Sequence, residues 1–96
     1  MTTDAQAAAA VVAERIGRDR ELSYDDLAAS CGTINSEDIM LSTGTTAVLG
    51  TDTFWDDKPH GNIRRVVDVW RAQGVLNRSL ASDEFIKAPD GSFVGG

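Results

Sequence analysis

A single cysteine, Cys31, and a single histidine, His60, leave this chain without a covalent or metallic staple. One thiol closes no internal disulfide, which excludes a stapled secreted scaffold. One Cys and one His fall short of the ligand set of a structural zinc site. A 96-residue chain must then be held by its own apolar core. At this size a fold buries only about 60–65% of its unfolded surface, so the core is thin and 42% hydrophobic content leaves little surplus. One single domain, 1–96, is expected. No apolar run approaches the ~18 residues of a membrane span. The opening Met-Thr-Thr-Asp carries neither a basic segment nor a signal-type apolar stretch. The expectation is a cytoplasmic protein without a membrane partner.

The net charge is −6, and it is unevenly spread. Residues 1–57 hold eleven acids against Arg15, Arg18 and Arg20. Residues 58–78 reverse the balance, with Lys58, Arg64, Arg65, Arg71 and Arg78 against Asp68. The tail is mildly acidic again. An acidic whole argues against a non-specific polyanion binder, whose affinity comes from neutralising phosphates. The basic middle segment leaves room for a localised anion contact.

Helical signals open the chain. Asp4 can cap a first helix, Ala5, Ala8, Ala9, Val12 and Ile16 recur at helical spacing, and Gly17 offers a stop. Leu22-Ser23-Tyr24-Asp25-Asp26-Leu27 is the clearest local start. Ser23 suits an N-cap, the two aspartates suit the positive end of a helix dipole, and Leu22 with Leu27 matches a hydrophobic staple. This helix is predicted from Tyr24 to about Cys31, with Gly32 after it. Ser36 would cap a further short helix to about Leu41. Residues 42–46 read as a loop, Ala47-Val48-Leu49 as a short strand, and 50–61 as a long connection whose Phe54 and Trp55 are expected to cover the core, with an exposed binding patch as the alternative.

The longest helix is predicted over Pro59–Gln73. Asp57 can cap it, proline is tolerated in a first turn, and Ile63, Val66, Val67 and Trp70 fall at i, i+3, i+4 and i+7. Arg64, Arg65, Asp68 and Arg71 then stand on the other side, Gly74 ends the helix, and Val75 and Leu76 close back onto the core. A hairpin is expected at the tail, with Phe85-Ile86-Lys87 and Ser92-Phe93-Val94 flanking the turn Ala88-Pro89-Asp90-Gly91.

A first helix, Arg18 to Leu22 as a short polar connector or edge strand, a capped helix, a further helix and a hairpin together resemble a winged helix. Glu21-Leu22-Ser23-Tyr24-Asp25-Asp26-Leu27-Ala28 is similar to the start of the second helix of such domains, and Lys87-Ala88-Pro89-Asp90-Gly91-Ser92-Phe93 to a wing. Residues 33–60 depart from the few-residue connection of a helix-turn-helix. The resemblance extends to the DNA-binding domain of alkyltransferase-like proteins, without their Pro-Cys-His-Arg motif. Pro59-His60-Gly61-Asn62 has no methyl-accepting cysteine, so no alkyl transfer is implied. A second stretch, Asn62–Trp70 with Gln73-Gly74-Val75-Leu76, is similar to the last helix of periplasmic substrate-binding proteins of the taurine and nitrate type. Without two lobes or a signal peptide, no transport function is implied. The fold expected is therefore a small, helix-dominated α+β domain with a C-terminal β-hairpin and winged-helix character.

Catalytic signals are weak. Cys31 lies at a helix C-terminus, where the dipole disfavours a thiolate, and nothing orients His60 toward it. Asp25/Asp26, Glu37/Asp38 and Asp56/Asp57 are explained by capping. Gly44 and Gly50 lack the lysine of a phosphate loop. Gly95-Gly96 is similar to the end of ubiquitin-like sulfur carriers, but those domains open with a β-hairpin, so an ordinary terminus is expected. No enzyme, metal or cofactor is read. The expected function is a small non-enzymatic binding or regulatory module. Arg64, Arg65 and Arg71 would contact nucleic acid from the helix, because arginine suits base edges and phosphates, and Lys87 would add a phosphate contact. The alternative is an acidic protein-interaction module, an inhibitor or adaptor able to mimic DNA. A thin core with two tryptophans also suits a homodimer.

Overall fold

The computed structural model describes residues 1–72 and 79–95. Two helices lead into four strands: α1 (Asp4–Asp19), α2 (Tyr24–Ser30), β1 (Thr33–Met40), β2 (Thr46–Trp55), β3 (Ile63–Arg71) and β4 (Ser79–Lys87). The strands form one antiparallel sheet in chain order, β1-β2-β3-β4. Strand takes 42% of the described residues and helix 26%. The helix-dominated winged helix expected from the sequence is overturned by this balance, and with it the resemblance to the alkyltransferase-like DNA-binding fold.

The helical half is local chemistry. Thr3, not Asp4, caps α1: its hydroxyl accepts from the Gln6 N–H while the Gln6 side chain accepts from the Thr3 N–H, a reciprocal capping box. The helix runs through Gly17 to Asp19, since one exposed glycine costs only about 1 kcal/mol. Its buried stripe is Ala7, Ala8, Val12 and Ile16, while Ala5 and Ala9 are exposed. In α2, Ser23 caps by accepting from the Asp26 N–H, and Leu27 is its fully buried residue. Gly32 follows at φ +88°, a conformation that L side chains rarely adopt.

Two predicted helices are strands. Ser36 does not cap a helix; residues 33–40 pair with β2 from Thr33↔Thr53 to Met40↔Thr46. A tight turn joins them, in which the Leu41 N–H donates to Thr45 O at 2.9 Å and Gly44 sits at φ +88°. The helix expected over 59–73 is instead a turn followed by β3. Ile63-Arg64-Arg65-Val66-Val67-Asp68-Val69-Trp70 fits both periods. Read every two residues, Ile63, Val67 and Val69 are buried, with Arg65 between them. β-branched side chains favour the pleated surface, and β2 and β4 on either side supply the partners that decide it. Gln73, Gly74, Val75, Leu76 and Arg78 lie outside the described residues.

The tail is not a wing. Phe85–Lys87 is the end of β4, which pairs with β3. Ala88–Gly91 does turn the chain, with the Gly91 N–H donating to Ala88 O at 2.8 Å. The returning segment, however, makes one isolated bridge, Lys87↔Phe93. Phe93 packs edge-on to Phe85 at 5.8 Å, beneath the Arg20 guanidinium at 4.3 Å.

Both helices cover one face of the sheet: α1 lies over β3 and β4, and α2 meets β2 and β3. Ala47, Leu49, Ile63, Val67, Val69 and Phe85 meet Ala7, Ala8, Val12, Ile16 and Leu27 in one core. Asp4 ties the start of α1 to the strands. Its carboxylate accepts from the hydroxyls of Thr43 (2.6 Å) and Thr45 (2.9 Å) and pairs with Arg71 at 3.1 Å. The two hydroxyls, and then Arg71, hold its pKa below the usual 3.8. A carboxylate depressed in the folded state contributes stability above its unfolded pKa, and that stability is lost as pH falls through the folded pKa. The melting-temperature advantage of the native chain over Asp4→Asn is therefore expected to hold at neutral pH and to shrink only below 3.8; melting curves of both proteins from neutral to strongly acid pH measure it.

Candidate functional site

The four basic residues expected to contact nucleic acid are dispersed by the sheet. Arg64 points to the face without helices; its Nε donates to Asp56 at 2.7 Å and its Nη1 to Glu84. Those two carboxylates push its pKa above the usual arginine value. Arg65 points the other way, under α1. Its Nε donates to buried Asp19 at 3.0 Å and its Nη1 to Thr53 Oγ1 at 2.9 Å. Arg71 pairs with Asp4. Lys87 is buried, and its Nζ donates to the carbonyls of Leu22 (2.6 Å) and Arg20 (3.3 Å). The helix that was to present them together is absent, and each charge is engaged by the molecule's own oxygens.

The other chemical candidates are also separated. Cys31 ends α2, and burial raises its thiol pKa. His60 sits in the β2–β3 turn at φ 65°, its ring 5.5 Å from that of Trp55. Asp57 in the same turn accepts from the N–H groups of Lys58 and Asn62. Glu37 and Asp38 point to opposite faces of β1, because successive strand residues alternate, and Glu37 is held by Arg15 at 2.7 Å. Among the described residues no cluster of His, Cys, Asp or Glu is arranged to hold a metal ion, and no helix is long and apolar enough to cross a membrane.

The opposite face of the sheet is covered by neither helix. The register assigns to it Ile34, Ser36, Asp38 and Met40 from β1, and Val48, Gly50, Asp52 and Phe54 from β2. β3 adds Arg64, Val66, Asp68 and Trp70, and β4 adds Ser82, Glu84 and Ile86. A sheet face normally packs on another layer. Here Ile34, Met40 and Phe54 are among the exposed large hydrophobics. The acids Asp38, Asp52, Asp68 and Glu84 stand against one base, Arg64, which Asp56 and Glu84 already occupy.

One cleft of about 190 Å³ opens on this face, lined by Ile34, Gly50, Asp52, Val66, Asp68 and Trp70. Gly50 makes its floor. A Cβ there would meet the Trp70 ring at 2.7 Å, so only glycine lets the indole lie across the neighbouring strand. Gly50 is directly opposite Asp68, and Asp52 opposite Val66, which puts a carboxylate on each side of an aromatic and aliphatic wall. Asp68 accepts from the Ser79 hydroxyl. Sequence reasoning missed this group because it read Val66 and Trp70 as buried on a helix. The period-two run Val48, Gly50, Asp52, Phe54 was the available signal, but the Gly50–Trp70 approach depends on register.

A scan against protein-family models finds none that matches this chain, and searches of the curated proteins and of the solved structures find no match.

Proposed function

We propose that this chain is a non-catalytic protein-interaction module whose open sheet face docks a partner segment carrying a basic side chain. The observation that supports this reading is the cleft: Trp70, Val66 and Ile34 offer apolar walls, and Asp52 and Asp68 offer negative charge at its sides. An arginine or lysine matches both, with an apolar stem against the walls and a charged head toward the carboxylates. A cation over an indole face gains roughly 0.5–2 kcal/mol. At about 190 Å³ the cleft is smaller than the ~300–1,000 Å³ of pockets that enclose small molecules, so it suits a side chain rather than a cofactor. The acidic balance of the face favours a basic partner and opposes nucleic acid. A cytoplasmic setting, in which lone Cys31 stays reduced, accords with the same reading.

The test is a titration of ¹⁵N-labelled protein with a blocked five-residue peptide that has arginine between two valines. Weak binding is expected, with a dissociation constant on the order of 1 mM. Amide shifts should centre on Gly50, Asp52, Val66, Asp68 and Trp70. The double variant Asp52→Asn/Asp68→Asn should bind at least about tenfold more weakly, and Gly50→Ala, which displaces the indole, should do the same. A duplex DNA oligonucleotide should leave the spectrum unchanged at low salt. DNA-induced shifts at Arg64 and Arg71, or peptide shifts away from the cleft, would overturn the reading.

A further inference from the structure

We propose that two copies of this chain join their sheets through β1, antiparallel, about a two-fold axis passing beside Glu37. The inference rests on the sheet edge and does not depend on the docking reading. Among the described residues β1 pairs only with β2, along one side. Which of its backbone groups stay free follows from the ladder. The Leu41 N–H donates to Thr45 O, and the Ala72 N–H to Thr46 O. Bonds in an antiparallel ladder alternate from residue to residue, so the odd-numbered residues of β1 bond to β2. The N–H and C=O groups of Ile34, Ser36, Asp38 and Met40 therefore face outward along the open edge.

Proteins blunt such edges with proline, charged side chains (lysine above all), bulges or a covering segment; of the two charges on β1, Glu37 is paired with Arg15 on the helix side and Asp38 stands on the open face. β1 contains neither proline nor lysine, and its register with β2 is unbroken. Its two ends on the open face carry Ile34 and Met40, exposed to 77% and 72%.

A two-fold normal to the sheet keeps open face with open face, so even residues must pair with even residues. Of the registers this allows, one centred on Asp38 sets that carboxylate against its own copy. One centred on Ser36 sets Ile34 against an aspartate and leaves Met40 unpaired. The register centred on Glu37 places Ile34 opposite the partner's Met40 and Ser36 opposite the partner's Asp38, where a hydroxyl can donate to a carboxylate. Each of these pairs exchanges two backbone hydrogen bonds. Glu37 would meet its own copy on the helix side, but each Glu37 is held by Arg15 at 2.7 Å, so the axis gathers alternating charges. The strand is complementary to itself in this register. The product is one continuous sheet that carries both clefts on the same side, which makes the assembly bivalent toward a partner.

Sedimentation of the full chain from about 1 µM to about 1 mM should show a reversible monomer–dimer equilibrium. Asp38→Pro removes an edge-facing N–H and no β1–β2 bond, a position where a strand tolerates proline. It should stay folded by circular dichroism and weaken dimerisation at least about tenfold. In a Cys31→Ser background, Ile34→Cys mixed with Met40→Cys should form the mixed disulfide on mild oxidation, because directly opposed strand residues lie within disulfide reach. Ile34→Cys alone should not cross-link. A chain that is monomeric throughout, a dimer indifferent to Asp38→Pro, or cross-linking of Ile34→Cys to itself would each overturn the proposal.

Discussion

Asp19→Ala is expected to destabilise the fold by about 3–5 kcal/mol, the cost of breaking a buried ion pair from one side. The Asp19 and Arg65 side chains retain only 7% and 13% of their exposure. Arg65 enters the helix side of the sheet from β3, and Asp19 meets it from the last turn of α1. Removing the carboxylate leaves a guanidinium in a site that its remaining partner, Thr53 Oγ1 at 2.9 Å, cannot neutralise. A domain of ordinary stability has only about 5–15 kcal/mol in total, so the variant sits near the unfolding threshold. Urea denaturation gives the value. A double replacement, Asp19→Leu with Arg65→Met, should recover much of the loss, because a well-packed apolar pair is often as stable as a buried ion pair. If the single and double variants are equally unstable, the pair is not what holds α1 to β3.

Leu27→Ala is expected to cost about 3 kcal/mol, within the range for emptying a fully buried leucine site. Leu27 has no exposed surface and is the buried residue of α2. A seven-residue helix has no independent stability in water, so α2 exists because this side chain anchors it to the core. Neighbouring ties are peripheral: the Tyr24 hydroxyl donates to Gly61 O at 2.7 Å, and Lys87 reaches the Leu22 carbonyl. At roughly 4–8 °C per kcal/mol for a domain of this size, calorimetry should record a drop of more than ~10 °C. Hydrogen exchange should show protection lost first at residues 24–30. A uniform loss across the sheet instead would mean that α2 and the strands unfold as one unit.

Elements with a local cause could be read before the fold was known. Leu22, Ser23, Asp25, Asp26 and Leu27 carry a cap, charges for the helix dipole and a staple pattern within six residues, and the helix forms there. The Pro89-Asp90-Gly91 turn also forms, with Gly91 at φ +89° and Asp90 accepting from the Ser92 N–H and hydroxyl. Errors arose where two periods fit one stretch. Ile63, Val66, Val67 and Trp70 satisfy a helix, whereas Ile63, Arg65, Val67 and Val69 satisfy a strand only if an inward arginine is acceptable. Asp19 makes it acceptable, and Asp19 is 46 residues away in sequence. The candidate site was illegible for the same reason. Asp52, Asp68 and Trp70 become neighbours only when β2 and β3 align in one register.

The chain by itself determined the Ser23-capped helix and the Pro89-Asp90-Gly91 turn, because those depend on residues within a few positions of one another. Whether residues 33–40 and 63–71 coil or extend, which way Arg64 and Arg65 point, and that an acidic, apolar sheet face stays open were decided only by tertiary structure. Strand pairing joins distant segments, and a register of period two assigns each side chain to a face that no local window contains.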